Sequence, residues 1–209
     1  MAAFIFDFDG TLADTWPLVV DISYQLSGGA SRLPETRINQ LRQEPLLRAV
    51  RMLGISRWRL PRMILYTRPY MLSRMNEVDA FPGIVDVVKQ LYDAGHSLYI
   101  LSSNRAENVH EFLRLQGLAQ YFSDVSGVYV GNVFYKIYGI HKLLHRYNIA
   151  KETCFYVGNE PLDIVAAERS GIRTVAISWG NAGKAALQAT GPDFLISNPK
   201  DLLEIASWR

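Results

Sequence analysis

The chain has 209 residues, 49% of them apolar, which is enough to bury the core of one medium domain with a smaller unit beside it. A net charge of +2 neither demands nor excludes an anionic partner, and the single cysteine, Cys154, rules out an intrachain disulfide and fits a reducing compartment. No apolar run approaches the roughly 20 residues that cross a bilayer, and MAAFIFDFDG lacks the basic region of a secretory leader, so a cytoplasmic protein without membrane contact is expected.

The first predicted element is an apolar strand beginning near Phe4 that runs directly into Asp7-Phe8-Asp9-Gly10-Thr11. Side chains alternate along an extended chain, so Asp7 and Asp9 leave the strand end on one side while Phe6 and Phe8 point to the other. Gly10 lets the backbone take a positive φ or approach a ligand closely, and Thr11 can cap the element that follows. Two aspartates and a glycine after a strand are also what an ordinary turn looks like, so both readings stand on the residues alone.

From Pro17 to Val78 the composition shifts to ten arginines and no lysine against four acids, a net +6 that leaves −4 for the rest of the chain. Apolar spacing there is helical, as in Leu46, Leu47, Val50 and Leu53, with breaks at Gly28-Gly29 and Pro34, so an insert of about four helices is predicted. Trp58, Tyr66 and Tyr70 could stack on a base or pack the interior of that insert.

The second half alternates. Ile84, Val87, Val88 and Leu91 form a helical stripe ended by Gly95; strand 97–101, a helix around 109–115, a strand near 125–130 and a helix near 137–147 follow. Strand 154–157, helix 162–169, strand 174–177, strand 194–196 and a last helix from Pro199 complete it. Such alternation predicts an α/β fold: a parallel sheet covered on both faces, with ligands at the carboxyl ends of its strands.

Polar interruptions follow several of these strands: Asp7 and Asp9; Ser102-Ser103-Asn104; Lys136; and Gly158-Asn159-Glu160 with Asp163. Ser102 could bind phosphate oxygens or cap the next helix, and a lone lysine such as Lys136 is ordinarily a solvated charge. His141 and His145 share a helix face, but the neighbouring Lys142 and Arg146 favour a solvated surface over a metal site. Gly180 to Lys184 lacks the spacing and the hydroxyl of a phosphate loop. Cys154 lies in the apolar run CFYVG, as a packed, inert thiol does.

The string DFDGTLAD resembles the first motif of the haloacid dehalogenase-like superfamily, ILSSNRAENV resembles its second, Lys136 lies where its third places a lysine, and YVGNEPLDIVAAERSGI resembles its GDxxxD motif. The resemblance covers nearly the whole chain. It implies a Rossmann-like three-layer α/β/α core over residues 1–15 and 80–209 and a small helical cap over 16–79. It further implies a Mg²⁺-dependent phosphatase of phosphoglycolate phosphatase type, acting on a small phosphorylated metabolite rather than on nucleic acid. Asp7 would be the nucleophile and Asp9 the acid and base. Ser102, with Ser103 if the match slips by one, and Lys136 would hold the phosphoryl oxygens, with Gly10, Thr11 and Asn104 beside them. Mg²⁺ would lie between Asp7, the Asp9 carbonyl and the fourth motif of Asn159, Glu160 and Asp163. Asn159 departs from the pattern, standing where the family has a carboxylate, and a neutral amide holds a hard cation less tightly unless Glu160 leans in. Two alternatives remain at this level: a phosphosugar mutase of the same fold, and a weakened relative that binds anions or nucleic acid through its arginines.

Overall fold

The structure, a computed structural model, describes residues 1–27, 33–42, 44, 49, 51–54, 58, 70–127 and 133–207. Six parallel strands form one sheet in the order β3-β2-β1-β4-β5-β6. These are β1 (Ala3–Phe6), β2 (Ser97–Ser102), β3 (Asp124–Gly127), β4 (Cys154–Gly158), β5 (Arg173–Ile177) and β6 (Phe194–Ile196). The central strand β1 pairs Phe6 with Ile100 of β2 on one side and with Val157 of β4 on the other.

Alternation along the strands divides the core in two. Phe4, Phe6, Leu98, Ile100, Phe155, Val157, Val175 and Ile177 face one layer. That layer comprises α3 (Ile84–Asp93), α4 (Ala106–Leu115) and α8 (Asp201–Ala206), which bury Ile84, Val88, Leu91, Phe112, Leu202 and Ile205. Ile5, Tyr99, Leu101, Cys154 and Tyr156 face the other, against α5 (Val133–Arg146) and α6 (Pro161–Ser170). Both faces of a parallel sheet are thus covered, which is why its strands read as continuous apolar runs. The expected Rossmann-like three-layer α/β/α core is borne out. Cys154 is buried and unpaired, and burial pushes its thiol up to about 12, so it is inert as expected.

In the arginine-rich stretch, α1 (Trp16–Ser27) and α2 (Glu35–Arg42) are helical, and residues 70–73 are helical as well. Helix α1 splits its apolar residues: Leu18 and Ile22, one turn apart, join the first core layer, while Trp16 and Val20 pack with Leu41, Ala49 and Leu53 in a small separate cluster. The expected break at Gly28-Gly29, the positions Leu46, Leu47 and Val50, and Tyr66 lie outside the described residues. Trp58 is exposed. Tyr70 is tied by its hydroxyl to Asp21 at 2.6 Å and sits under the Arg74 guanidinium, so it serves packing of the insert.

Candidate active site

A parallel sheet offers a crevice where successive connections leave in opposite directions from adjacent strands, and here that point is the carboxyl end of β1, between β2 and β4. Asp7 stands there, its N–H donating to the Val157 carbonyl at 2.9 Å so that its side chain is fixed by the sheet itself. The Lys136 ammonium donates to Asp7 Oδ1 at 3.2 Å and also to Asp163 Oδ1. Lys136 is 5% exposed and lies inside the first turns of α5, not in a loop before a helix at residue 137 as the sequence predicted. The helix places it over the sheet, with Ile140 one turn on entering the second core layer and the Tyr156 ring 5.5 Å beneath the ammonium. It is therefore not a solvated surface charge.

Asp9 is gripped by its neighbours. Its Oδ1 accepts from Thr15 Oγ1 at 2.8 Å and from Asn104 Nδ2 at 2.9 Å. Burial nevertheless raises its pKa above the ordinary carboxylate value, the bonds from Thr15 and Asn104 and the charge of Lys136 opposing but not cancelling it. Asp7 is pushed further up, first by burial; Lys136 opposes this, while Asp163, Asp9 and Glu160 reinforce it. For Lys136 burial favours the neutral amine, but the attraction of Asp163 and Asp7 outweighs it and holds the ammonium well above the ordinary lysine value.

The second expected motif divides. Ser102 is buried at the end of β2 and Ser103 is exposed, so the match without a slip is the one that reaches the site. Ser102 does not cap α4, whose N-cap is Arg105; its Oγ accepts the Asn104 N–H at 3.0 Å instead. Asn104, expected beside a phosphate, has its amide on Asp9 and accepts from Asn108 Nδ2 at 2.8 Å, which makes it a holder of Asp9.

Gly10 takes the positive φ expected of it, while Thr11 departs from its expected capping role. Gly10 takes φ +78°, and a Cβ there would lie within 2.6–2.9 Å of the Asn181 and Asn159 amides, so only glycine fits. Its N–H donates to the Ala13 carbonyl at 2.9 Å and that of Thr11 to Phe8 at 3.1 Å, so both amides are engaged inside the turn rather than aimed at a ligand. Thr11 caps no helix; α1 starts at Trp16, and the Thr11 hydroxyl accepts from Asn159 Nδ2 at 3.1 Å.

In the fourth motif, Glu160 is the N-cap of α6 in a reciprocal capping box with Asp163, whose Oδ2 accepts the Glu160 N–H at 2.9 Å. Asn159 donates to the Asp9 carbonyl at 2.6 Å and accepts from the Asn181 N–H at 3.2 Å. Asn181, Thr15 and Trp179, whose Nε1 donates to the Thr11 carbonyl at 3.2 Å, were not singled out in the sequence. Thr15 and Asn181 are isolated polar residues in loops, and nothing local distinguishes them. His141 and His145 are exposed, as expected of a solvated face.

A magnesium ion asks for about six oxygen donors, carboxylates foremost. Among the described residues no three His, Cys, Asp or Glu side chains are grouped as a metal site requires. The Asp9 carbonyl faces an amide N–H, Asp163 is shared between Lys136 and Glu160, and Asp7 is paired with Lys136. In this arrangement the donor set does not fit the ion.

Buried carboxylates, a buried ammonium and a strand-end hydroxyl gather at the switch point of a doubly wound sheet, where such folds bind their ligands, and make this the candidate centre. A family model described as haloacid dehalogenase-like hydrolase matches residues 4–177. The chain is 35% identical over 207 residues to a phosphoglycolate phosphatase from Synechococcus elongatus, covering 98% of this chain and 96% of that one. It is 26% identical over 205 residues to the pyrophosphatase PpaX of Oceanobacillus iheyensis, covering 96% and 94%. A solved hydrolase of the haloacid dehalogenase-like family from Streptococcus pneumoniae shares the fold at a TM-score of 0.81 and 22% identity, over 98% of both chains. The chain belongs to the haloacid dehalogenase-like hydrolases and is an enzyme of their phosphatase kind. Among the described residues no helix is long and apolar enough to cross a membrane.

Proposed function

We propose that the protein hydrolyses a small phosphomonoester of the phosphoglycolate type through an aspartyl-phosphate on Asp7. The observation that carries this reading is the pair of carboxyls at the end of β1 with different partners: Asp7 against the Lys136 ammonium at 3.2 Å, which favours its carboxylate, and Asp9 held by the Thr15 hydroxyl and the Asn104 amide. Environments that differ in this way assign roles. An Asp7 oxygen attacks phosphorus in line as the bond to the leaving oxygen breaks, and Asp9 gives that oxygen its proton. Water then attacks phosphorus, its proton passing to Asp9, the acyl phosphate bond breaks and phosphate leaves. Lys136 draws the Asp7 carboxylate and phosphoryl oxygens together, and Ser102 adds a hydroxyl at the strand end.

The substrate class rests on the Synechococcus relative and on the basic stretch, which suits a small ester carrying a second anionic group. In this reading residues 16–79 form a cap over a core of 1–15 and 80–209. Phosphatases of this family generally use Mg²⁺; the donors here fit it poorly, and the steps above are written through the chain's own residues. The test is a panel of phosphomonoesters given to the wild type and to Asp7→Asn. The wild type should release phosphate fastest from small carboxylate-bearing esters and yield a hydroxylamine-sensitive phosphoenzyme, and Asp7→Asn should do neither while melting normally. Near-normal turnover by Asp7→Asn would end the proposal.

A further inference from the structure

The Asn159 side chain is fully buried at the end of β4, and its partners settle which way its amide faces. The backbone N–H of Asn181 can only donate and the carbonyl of Asp9 can only accept, so Oδ1 must face the first and the NH₂ group the second. A flipped amide would set donor against donor and oxygen against oxygen. Nor is there room to swing: a Cβ on Gly180 would lie 2.3 Å from the Gly10 carbonyl oxygen and 2.4 Å from Asn159 Cβ, so the loop after β5 is pressed directly onto this amide and the turn. Asn159 is thus a strut joining three segments, the turn after β1, the end of β4 and the loop after β5.

The Asp9 carbonyl is the point of interest. With a carboxylate at position 159, two oxygen acceptors would face each other in a buried place, and only a cation between them would make the contact favourable. Asparagine supplies the donors itself, one N–H to the Asp9 carbonyl and one to Thr11. We propose that Asn159 takes the place of the cation: the Asp7 centre folds complete without a divalent ion, and its affinity for Mg²⁺ lies far below that of the same chain carrying aspartate at this position. The inference shares with the proposed function only the location of the reacting centre, and it is read out by binding rather than by turnover.

The experiment is a calorimetric titration of the full-length protein with MgCl₂, with thermal melts in MgCl₂ and in EDTA, for the wild type, Asn159→Asp and Asn159→Ala. Asn159→Asp should bind Mg²⁺ at least about tenfold more tightly than the wild type, about 1.4 kcal/mol. Its melting temperature should rise with Mg²⁺ and fall in EDTA, while that of the wild type stays put. Asn159→Ala, which removes the donors and adds no charge, should melt lower than the wild type and gain no affinity. A wild type that binds as tightly as Asn159→Asp, or whose melting temperature climbs saturably with Mg²⁺, overturns the inference, and the second result does so even if Asn159→Asp fails to fold. Hydrolysis of an aryl phosphate on the same samples separates the two proposals. Inactive protein with the expected binding contrast would sink only the proposed function, and active protein with a tight wild-type Mg²⁺ site only this inference.

Discussion

Asp9 shows how much of the chemistry is set by single hydrogen bonds. The Thr15 hydroxyl, at 2.8 Å, favours the carboxylate over the carboxylic acid and so opposes the upward pull of burial. Thr15→Val removes that opposition, and the Asp9 pKa should climb further. On the proposed mechanism the proton donor then persists to higher pH. The alkaline limb of the kcat/KM profile should move up by about one pH unit, the equivalent of a hydrogen bond to a charged group worth about 1.4 kcal/mol. A pH–rate profile of Thr15→Val with an unmoved alkaline limb would take Asp9 out of the donor role. The sequence displayed Asp7 and Asp9 plainly, because carboxylates directly after an apolar strand stand out. It hid Thr15 and Asn181, whose importance comes from partners on other segments.

At the scale of elements, α2 meets the core through Arg42, whose guanidinium donates to Asp14 Oδ1 at 2.7 Å and to Asn181 Oδ1 at 3.2 Å. Asn181 in turn donates to Asn159, so the helix is two hydrogen bonds from the site. Arg42→Ala should cost about 0.5–1 kcal/mol by denaturant melts, as befits a half-buried pair, and should raise KM for carboxylate-bearing esters while weakening its dependence on salt. Arg74 is engaged differently, with Asp21 and Glu77, and its guanidinium is held above the ordinary arginine value first by Glu77; the net +6 of the stretch therefore overstates the charge free to meet a substrate. Between α3 and β2, His96 accepts the Ala2 N–H on Nδ1 at 3.0 Å, and burial lowers its pKa below the usual value of 6.5. The folded state therefore binds this proton less readily than the unfolded chain. Stability should be full above pH ~6.5 and should decline as pH falls from there through the lowered pKa. Urea midpoints measured across that window should slope for the wild type and flatten for His96→Asn.

For the molecule as a whole, the alternation of helix and strand was legible because a parallel sheet buried on both faces writes each strand as an apolar run. Phe4 to Phe6, Leu98 to Leu101 and Cys154 to Val157 carry that signal, and the stripe of α3 is the one the spacing predicts. The short helix α7 (Lys184–Gln188) was missed, being too brief to show a period. The start of α5 was placed near residue 137, past Lys136, because the exposed Phe134, Tyr135 and Tyr138 blur the apolar face of its first turns. What no local pattern could reveal is the pressing of Gly180 onto Gly10. Gly180→Ala forces backbone apart at 2.3 Å and should destabilise the fold by about 2 kcal/mol and abolish turnover, measurable by chemical melts beside an aryl phosphate assay.

The strand order has a consequence for how the site comes into being. Asp7 precedes Lys136 by 129 residues, and Thr11 precedes Trp179 by 168, so the segment that carries the two aspartates is completed by segments synthesised well after it. Until α5, β4 and β5 have packed alongside β1 and β2, Asp7 lacks its ammonium and the Asp9 carbonyl lacks the Asn159 amide. Such a chain has bulk structure before it has a reaction centre. Chemical competence therefore ought to arrive late in folding on or off the ribosome, trailing helix formation, because the contacts that complete it join residues 95 to 168 apart in the chain.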